Sequence, residues 1–128
     1  MEKCITQNIE VTVKTSFHTQ ASNPELDHYV HIYEISIYNH GDYKVQLISR
    51  EWFIKDLFGI TKEVRGFGVI GEQPIIEPNT FYAYASGSNF STTFSIMRGR
   101  YLFKRVNDGL EFFVKIPQFS LVFPPKLN

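Results

Sequence analysis

Apolar and polar residues alternate along most of this chain with a period of two rather than 3.6. Ile9, Val11 and Val13 interleave with Glu10, Thr12 and Lys14, so one face is apolar and the other wet, which predicts a half-buried strand. Tyr29, His31, Tyr33, Ile35 and Ile37 repeat the pattern up to Asn39-His40-Gly41-Asp42, residue types that tolerate the positive φ of a tight turn. In the return segment over residues 43–54 the alternation breaks at Leu47-Ile48, which predicts a bulge or a strand buried on both faces. Asp56-Leu57-Phe58-Gly59 turns the chain into a short strand over residues 60–64, and Glu77-Pro78-Asn79 turns it again ahead of Phe81-Tyr82-Ala83-Tyr84. Residues 97–106 and 110–116 predict a hairpin across Asn107-Asp108-Gly109, with Met97, Gly99, Tyr101 and Phe103 on one face opposing Phe112, Val114 and Ile116. After Pro117, Phe119, Leu121 and Phe123 alternate once more, until Pro124-Pro125. Residues 20–25 are polar and predict a mobile loop.

Seven or eight short strands with regular turn signals and no helical pattern predict an all-β fold, an antiparallel β-sandwich or small barrel. A length of 128 residues fits one domain spanning 1–128, with residues 1–7 expected to be a flexible N-terminus. Composition sharpens this picture. The 12 Phe, 7 Tyr and 1 Trp favour pleated, half-buried surface. Thirteen basic and thirteen acidic residues cancel, so no global field draws in nucleic acid, which is not an expected partner. No apolar run approaches membrane-spanning length, and a single cysteine, Cys4, cannot form an internal disulfide. The expected setting is cytoplasmic, without a membrane.

One motif conflicts with the all-β pattern. Gly66-x-Gly68-x-x-Gly71 has the spacing of a dinucleotide-binding fingerprint. That fingerprint binds pyrophosphate only where a strand feeds into a helix N-terminus, and here Pro74 follows Gly71 three residues later. The motif is therefore expected to shape a tight crossing between sheets, at φ values that other residues avoid. The candidate binding residues are Arg65, Gly66, Gly68, Gly71 and Glu72 of this loop, together with Arg50. Two guanidinium groups near one edge would suit a phosphate or a partner carboxylate. The bland alternative pairs each arginine with Glu51, Glu63 or Glu72.

Several blocks together are similar to the bacterial ApaG proteins, a family with a DUF525-type domain. They are Ser49-Arg50-x-Trp52, the run from Glu63-Val64 through Gly66-x-Gly68-Val69-x-Gly71 to Glu72-Gln73-Pro74, Tyr84-x-Ser86-Gly87, Met97-x-Gly99-x-Tyr101, Ile116-Pro117-x-Phe119-x-Leu121 and the closing Leu127-Asn128. The resemblance covers the chain from about Ile9 onward. It implies a fibronectin type III-like or immunoglobulin-like β-sandwich. It also implies an indirect link to cobalt and magnesium resistance and to diadenosine tetraphosphate metabolism. Similar domains in eukaryotic F-box and DNA-polymerase-interacting proteins look like protein-binding modules. The chain departs from the family pattern where Glu51 replaces the usual His before Trp52. It departs again where Ser88-Asn89 replaces Cys-Pro and where Ser95 replaces Gly. These losses speak against a metal or thiol role at those positions.

Catalytic and metal-binding constellations are weak. His18, His28, His31 and His40 lack ligand spacing, and His31 falls on the apolar face of its strand, where packing explains it. Weak binding of an anion or a divalent cation is left open, with no cofactor or metal site assigned. Arg98, Arg100, Lys104 and Arg105 read as a solvated strand face, and Trp52, Phe53, Tyr82 and Tyr84 as core. The expected function is a non-enzymatic binding module for a protein partner, acting through a sheet face or edge and the loop over residues 65–74. Homodimerisation by sheet pairing is the related expectation. The alternative is a small-anion or pyrophosphate sensor built on the glycine loop.

Overall fold

The computed structural model describes residues 1–124. Two antiparallel sheets face each other. The first has the order β1-β2-β3-β7, from Glu2–Thr6 (β1), Ile9–Phe17 (β2), Tyr29–Asn39 (β3) and Phe81–Phe90 (β7). The second has the order β5-β4-β8-β9, from Thr61–Phe67 (β5), Val45–Asp56 (β4), Phe94–Arg105 (β8) and Glu111–Val122 (β9). A two-residue strand, Ile75–Ile76 (β6), also pairs with β4. The only helical element among the described residues is a single 3-10 turn, Pro24–Leu26. This is the sandwich that the alternation predicts, in agreement with a fibronectin III-like or immunoglobulin-like fold.

The inward residues follow directly from the period-two pattern. Val11, Ile35 and Ile37 of the first sheet meet Leu47, Tyr101, Phe103, Val114 and Ile116 of the second, all essentially without solvent contact. Each such burial stabilises by roughly 1.5–3 kcal/mol before conformational entropy is counted. Met97, Tyr101 and Phe103 share the inner face of β8, and Phe103 stands opposite Phe112 in the predicted hairpin. The irregularity at Leu47-Ile48 is a bulge: Leu47 pairs with Phe103 and Ser49 with Leu102, so Ile48 is the extra residue. From there the even-numbered residues Arg50, Trp52 and Ile54 face inward.

Four expectations need correction. The N-terminus over residues 1–7, expected to be flexible, is an edge strand instead: β1 pairs with β2 from Glu2 opposite Val13 to Thr6 opposite Ile9. Residues 20–25 are tied down, because Ser22 Oγ donates to His18 O at 2.8 Å and accepts from Val30 N at 2.8 Å. Pro117 does not separate two strands but lies buried within β9, where the register to β8 shifts between Met97 and Gly99. β9 is the last strand of its sheet, and a bulge on such a strand tolerates a residue without an N–H. Phe53 leaves the core for the outer face, where the Arg98 guanidinium covers its ring at 4.7 Å. Pro125 and the terminal Leu127-Asn128 lie outside the described residues.

Candidate functional site

β5 carries Arg65 and Gly66, its partner β4 carries Arg50, and Gly68, Gly71 and Glu72 follow in the loop beyond β5. β5 runs through Gly66 to Phe67 rather than stopping at Val64, so Arg65 and Gly66 belong to a strand and not to a loop. Its register places Gly66 opposite Arg50 and Arg65 opposite Glu51. Successive strand residues point to opposite faces, so the two arginines lie on opposite sides of the sheet. They form no common anion clamp.

Arg50 points inward and holds the crossing loop. Its Nη1 donates to Phe67 O at 3.1 Å and to Gly68 O at 2.8 Å. Gly66 makes room for this, since a Cβ there would sit 2.9 Å from Nη1. The bulged Ile48 anchors the loop from the other side, its carbonyl accepting from Gly68 N at 2.8 Å and from Gln73 Nε2 at 2.9 Å. Gly68 sits at φ +60°, and a Cβ would lie 1.9 Å from Glu72 O. Beyond it, Val69 and Glu72 exchange both backbone hydrogen bonds around Ile70 (φ 43°) and Gly71 (φ 80°). Positive φ at both central residues is the geometry of a type I′ turn. No helix follows, and the amides of Gly68, Val69 and Glu72 are consumed by the protein's own carbonyls. The glycine spacing thus marks a strand, a close approach and a turn. Glu72 closes the loop onto the opposite sheet by accepting from Tyr82 Oη at 3.1 Å.

The outer face of the second sheet brings together a different set of residues. Arg65, Glu51, Arg100 and Lys115 align in one row across β5, β4, β8 and β9. Glu51 receives both Arg65, at 3.2 Å, and Arg100. The hydrogen bond from Arg100, helped by the charge of Arg65, holds the Glu51 carboxyl below its ordinary range. The neighbouring row is Phe67, Ser49, Leu102 and Phe113. Phe67 is 81% exposed and Phe113 48%, and the Arg100 guanidinium lies 3.9 Å above the Phe113 ring. These two rows enclose a shallow concavity of about 380 Å³. Sequence pattern singles out Arg65 but not Phe67, Leu102 and Phe113, because exposed aromatics cannot be told from core ones before the face of each strand is known.

The histidines do not form a metal centre. His31 is buried between Phe17 and Phe90, its ring edge-on to both, and burial lowers its pKa from the usual 6.5. His40 Nε2 lies 3.2 Å from Glu10 Oε1, an exposed pair that spacing alone does not show. Among the described residues no three His, Cys, Asp or Glu side chains converge as metal ligands, and no helix is long and apolar enough to cross a membrane.

Known proteins match this arrangement over most of the chain. The family model for the ApaG domain (DUF525) matches residues 19–105. Protein ApaG of Brucella suis biovar 1 is 44% identical over 124 residues, 97% of this chain and 95% of that protein. Protein ApaG of Nitrosomonas europaea is 41% identical over 121 residues, 94% of each. The crystal structure of a Bordetella pertussis protein named as a candidate ApaA superposes with a TM-score of 0.87 at 36% identity, covering 92% of this chain and 95% of that one. The sandwich, the glycine crossing and these relatives agree: this chain belongs to the ApaG family.

Proposed function

We propose that the chain is a non-enzymatic binding module that recognises a protein partner through the outer face of its second sheet. The observation that carries this reading is the row Phe67, Leu102 and Phe113 beside the charged row Arg65, Glu51, Arg100 and Lys115. A large aromatic that is 81% exposed on a regular strand contributes nothing to the core. Burying it against a partner would recover the apolar surface it leaves in water, and aromatic and arginine side chains are the residues that dominate interface energies. The centre of the first sheet's outer face, by contrast, carries Thr12, Ser36, Ala83 and Ala85, and its exposed aromatic, Phe81, stands at the first residue of β7 rather than in a row across the sheet's centre. On this reading, any link to cobalt and magnesium resistance or to diadenosine tetraphosphate metabolism is indirect and runs through the partner, within the cytoplasm. A pyrophosphate-sensing role for the glycine loop loses support, because Gly68, Val69 and Glu72 spend their amides internally.

The test is affinity capture with immobilised wild type, a Phe67→Ser/Phe113→Ser variant and a Gly71→Ala control, each checked for a native circular dichroism spectrum. A protein retained by wild type and the control but lost from the double variant is the expected result. Equal retention by all three defeats the reading. Sedimentation of the wild type alone decides whether the partner is a second copy.

A further inference from the structure

The two long sides of the sandwich are not alike. On one side β1 and β9 approach each other, with Cys4 Sγ donating to Lys115 O at 3.0 Å and Lys115 N to Thr6 Oγ1 at 3.2 Å. On the other side β5 and β7 are the last strands of their sheets and do not pair. A cleft of about 290 Å³ opens between them, with Trp52, Val64, Val69 and Met97 as an apolar lining and Arg50, Tyr33, Ser86 and Ser88 as polar groups. A second hollow continues along the same gap to Lys62 and Ser95. Lys62 lies four residue steps along β5 from the Arg50 row, roughly 13 Å at strand spacing.

The polar groups in this gap are underused. Arg50 spends only Nη1 on the protein, so among the described residues its Nε and Nη2 have no hydrogen-bond partner and its charge no carboxylate. Lys62 likewise has no ion pair there, while Asp56, the acid at that end, is occupied in capping Phe58 N and Ile60 N at 2.9 and 3.0 Å. Ser95 Oγ is buried without any partner. An apolar cleft with a few convergent polar groups is the usual form of a small-ligand site.

We propose that this cleft binds a carboxylate carried on an apolar body, with Arg50 receiving the carboxylate. The two remaining donor nitrogens of Arg50 form a planar fork that fits the two oxygens of a carboxylate. A single cation within an apolar lining suits a monoanion, whereas a phosphate dianion would leave charge uncompensated. Ser86 and Ser88 hydroxyls line the path of the body toward Lys62. Carboxylates of this class come as small acids or as the free C-terminus of a peptide, and both present the same group to Arg50.

Trp52 is the chain's single tryptophan and lines the cleft, so its fluorescence reports occupancy directly. The experiment titrates hexanoate, hexanamide, the peptide Gly-Ala-Val-Leu as free acid and as C-terminal amide, and inorganic phosphate into wild type, Arg50→Gln, Ser86→Leu and Arg65→Gln. A saturable Trp52 change is expected with hexanoate or the free-acid peptide, at least about tenfold weaker with the matching amide. Ser86→Leu, which fills the cleft, and Arg50→Gln should both abolish it, whereas Arg65→Gln on the outer face should leave it intact. Whether hexanoate or the peptide binds tighter identifies the source. The proposal fails if neither acid changes Trp52 up to about 10 mM, if an amide or phosphate does equally well, or if folded Ser86→Leu still responds. Should Arg50→Gln not fold, the Ser86→Leu and amide arms decide alone.

Discussion

The sealed and open sides of the sandwich answer the same problem differently. Where β1 meets β9, side chains satisfy the main chain of the neighbouring strand: Thr6 Oγ1 takes Lys115 N and Lys115 O takes Cys4 Sγ. Where β5 faces β7, hydrogen bonds span the opening at its two ends, Tyr82 Oη to Glu72 at one and Leu57 N to Thr92 Oγ1 at the other, and the stretch between is lined by hydroxyls, a guanidinium and the Trp52 ring. A sheet edge left open invites pairing with other chains unless it is covered or charged. Here the crossing loop over residues 68–74 covers one end of the opening. The open side therefore depends on a few strained or buried groups, and substitutions there should be felt most.

The largest expected effect is at Gly68. Its φ of +60° and the 1.9 Å approach of a Cβ to Glu72 O mean that alanine must displace backbone. Gly68→Ala should cost about 2–4 kcal/mol in chemical denaturation. Gly71 has positive φ but nothing within 4 Å of a Cβ, so Gly71→Ala should cost only about 1 kcal/mol. Equal costs would mean that the crossing is not held by this close approach, and the contrast between the two sides would weaken.

The floor of the open side supplies the next test. Tyr84 and Tyr101 share a hydroxyl–hydroxyl hydrogen bond of 2.6 Å, and burial raises the pKa of both phenols. Tyr101 has no solvent contact, while Tyr84 lines the cleft at 8% exposure. Tyr84→Phe strands the Tyr101 hydroxyl in the interior and should cost about 1–2 kcal/mol. Tyr101→Phe leaves the Tyr84 hydroxyl where water can reach it and should cost less. Thermal denaturation of both variants and of the double variant measures the difference. Were Tyr101→Phe the worse of the two, the cleft would be closed to water rather than open.

The features of the fold that sequence pattern shows are those with a local cause. β3 is legible because Tyr29 to Ile37 alternates without interruption, and the Ile48 bulge because two apolar residues meet where one should be polar. β1 is not legible: its side chains are largely exposed, and its order comes from distant partners in β2 and β9. The glycine motif is legible as a turn without a helix because Pro74 follows it, yet Gly66 is a strand residue whose lack of a side chain accommodates Arg50. The separation of Arg50 from Arg65 rests wholly on register. A slip of one residue would have placed both on one face, and no spacing in the chain distinguishes the two cases. The outer aromatic row was illegible for the same reason.

The smallest effect is absent at neutral pH and concerns the far end of the open side, where His31 stands opposite Ser88 on β7. Burial between Phe17 and Phe90 lowers its pKa from 6.5, so the folded state resists protonation. The unfolded chain takes up that proton as pH falls below about 6.5, binding more protons than the folded state, so stability must decline in that direction. The decline begins near the unfolded value and ends once pH passes below the lower folded one. Melting temperatures of wild type and His31→Phe at about pH 7.5 and about pH 5.5 isolate this contribution, since every other ionisable group is common to the two proteins. Wild type should lose more on acidification than His31→Phe. Parallel losses would show that the imidazole is as well hydrated when folded as when unfolded, and that the sandwich is open at both ends of β7.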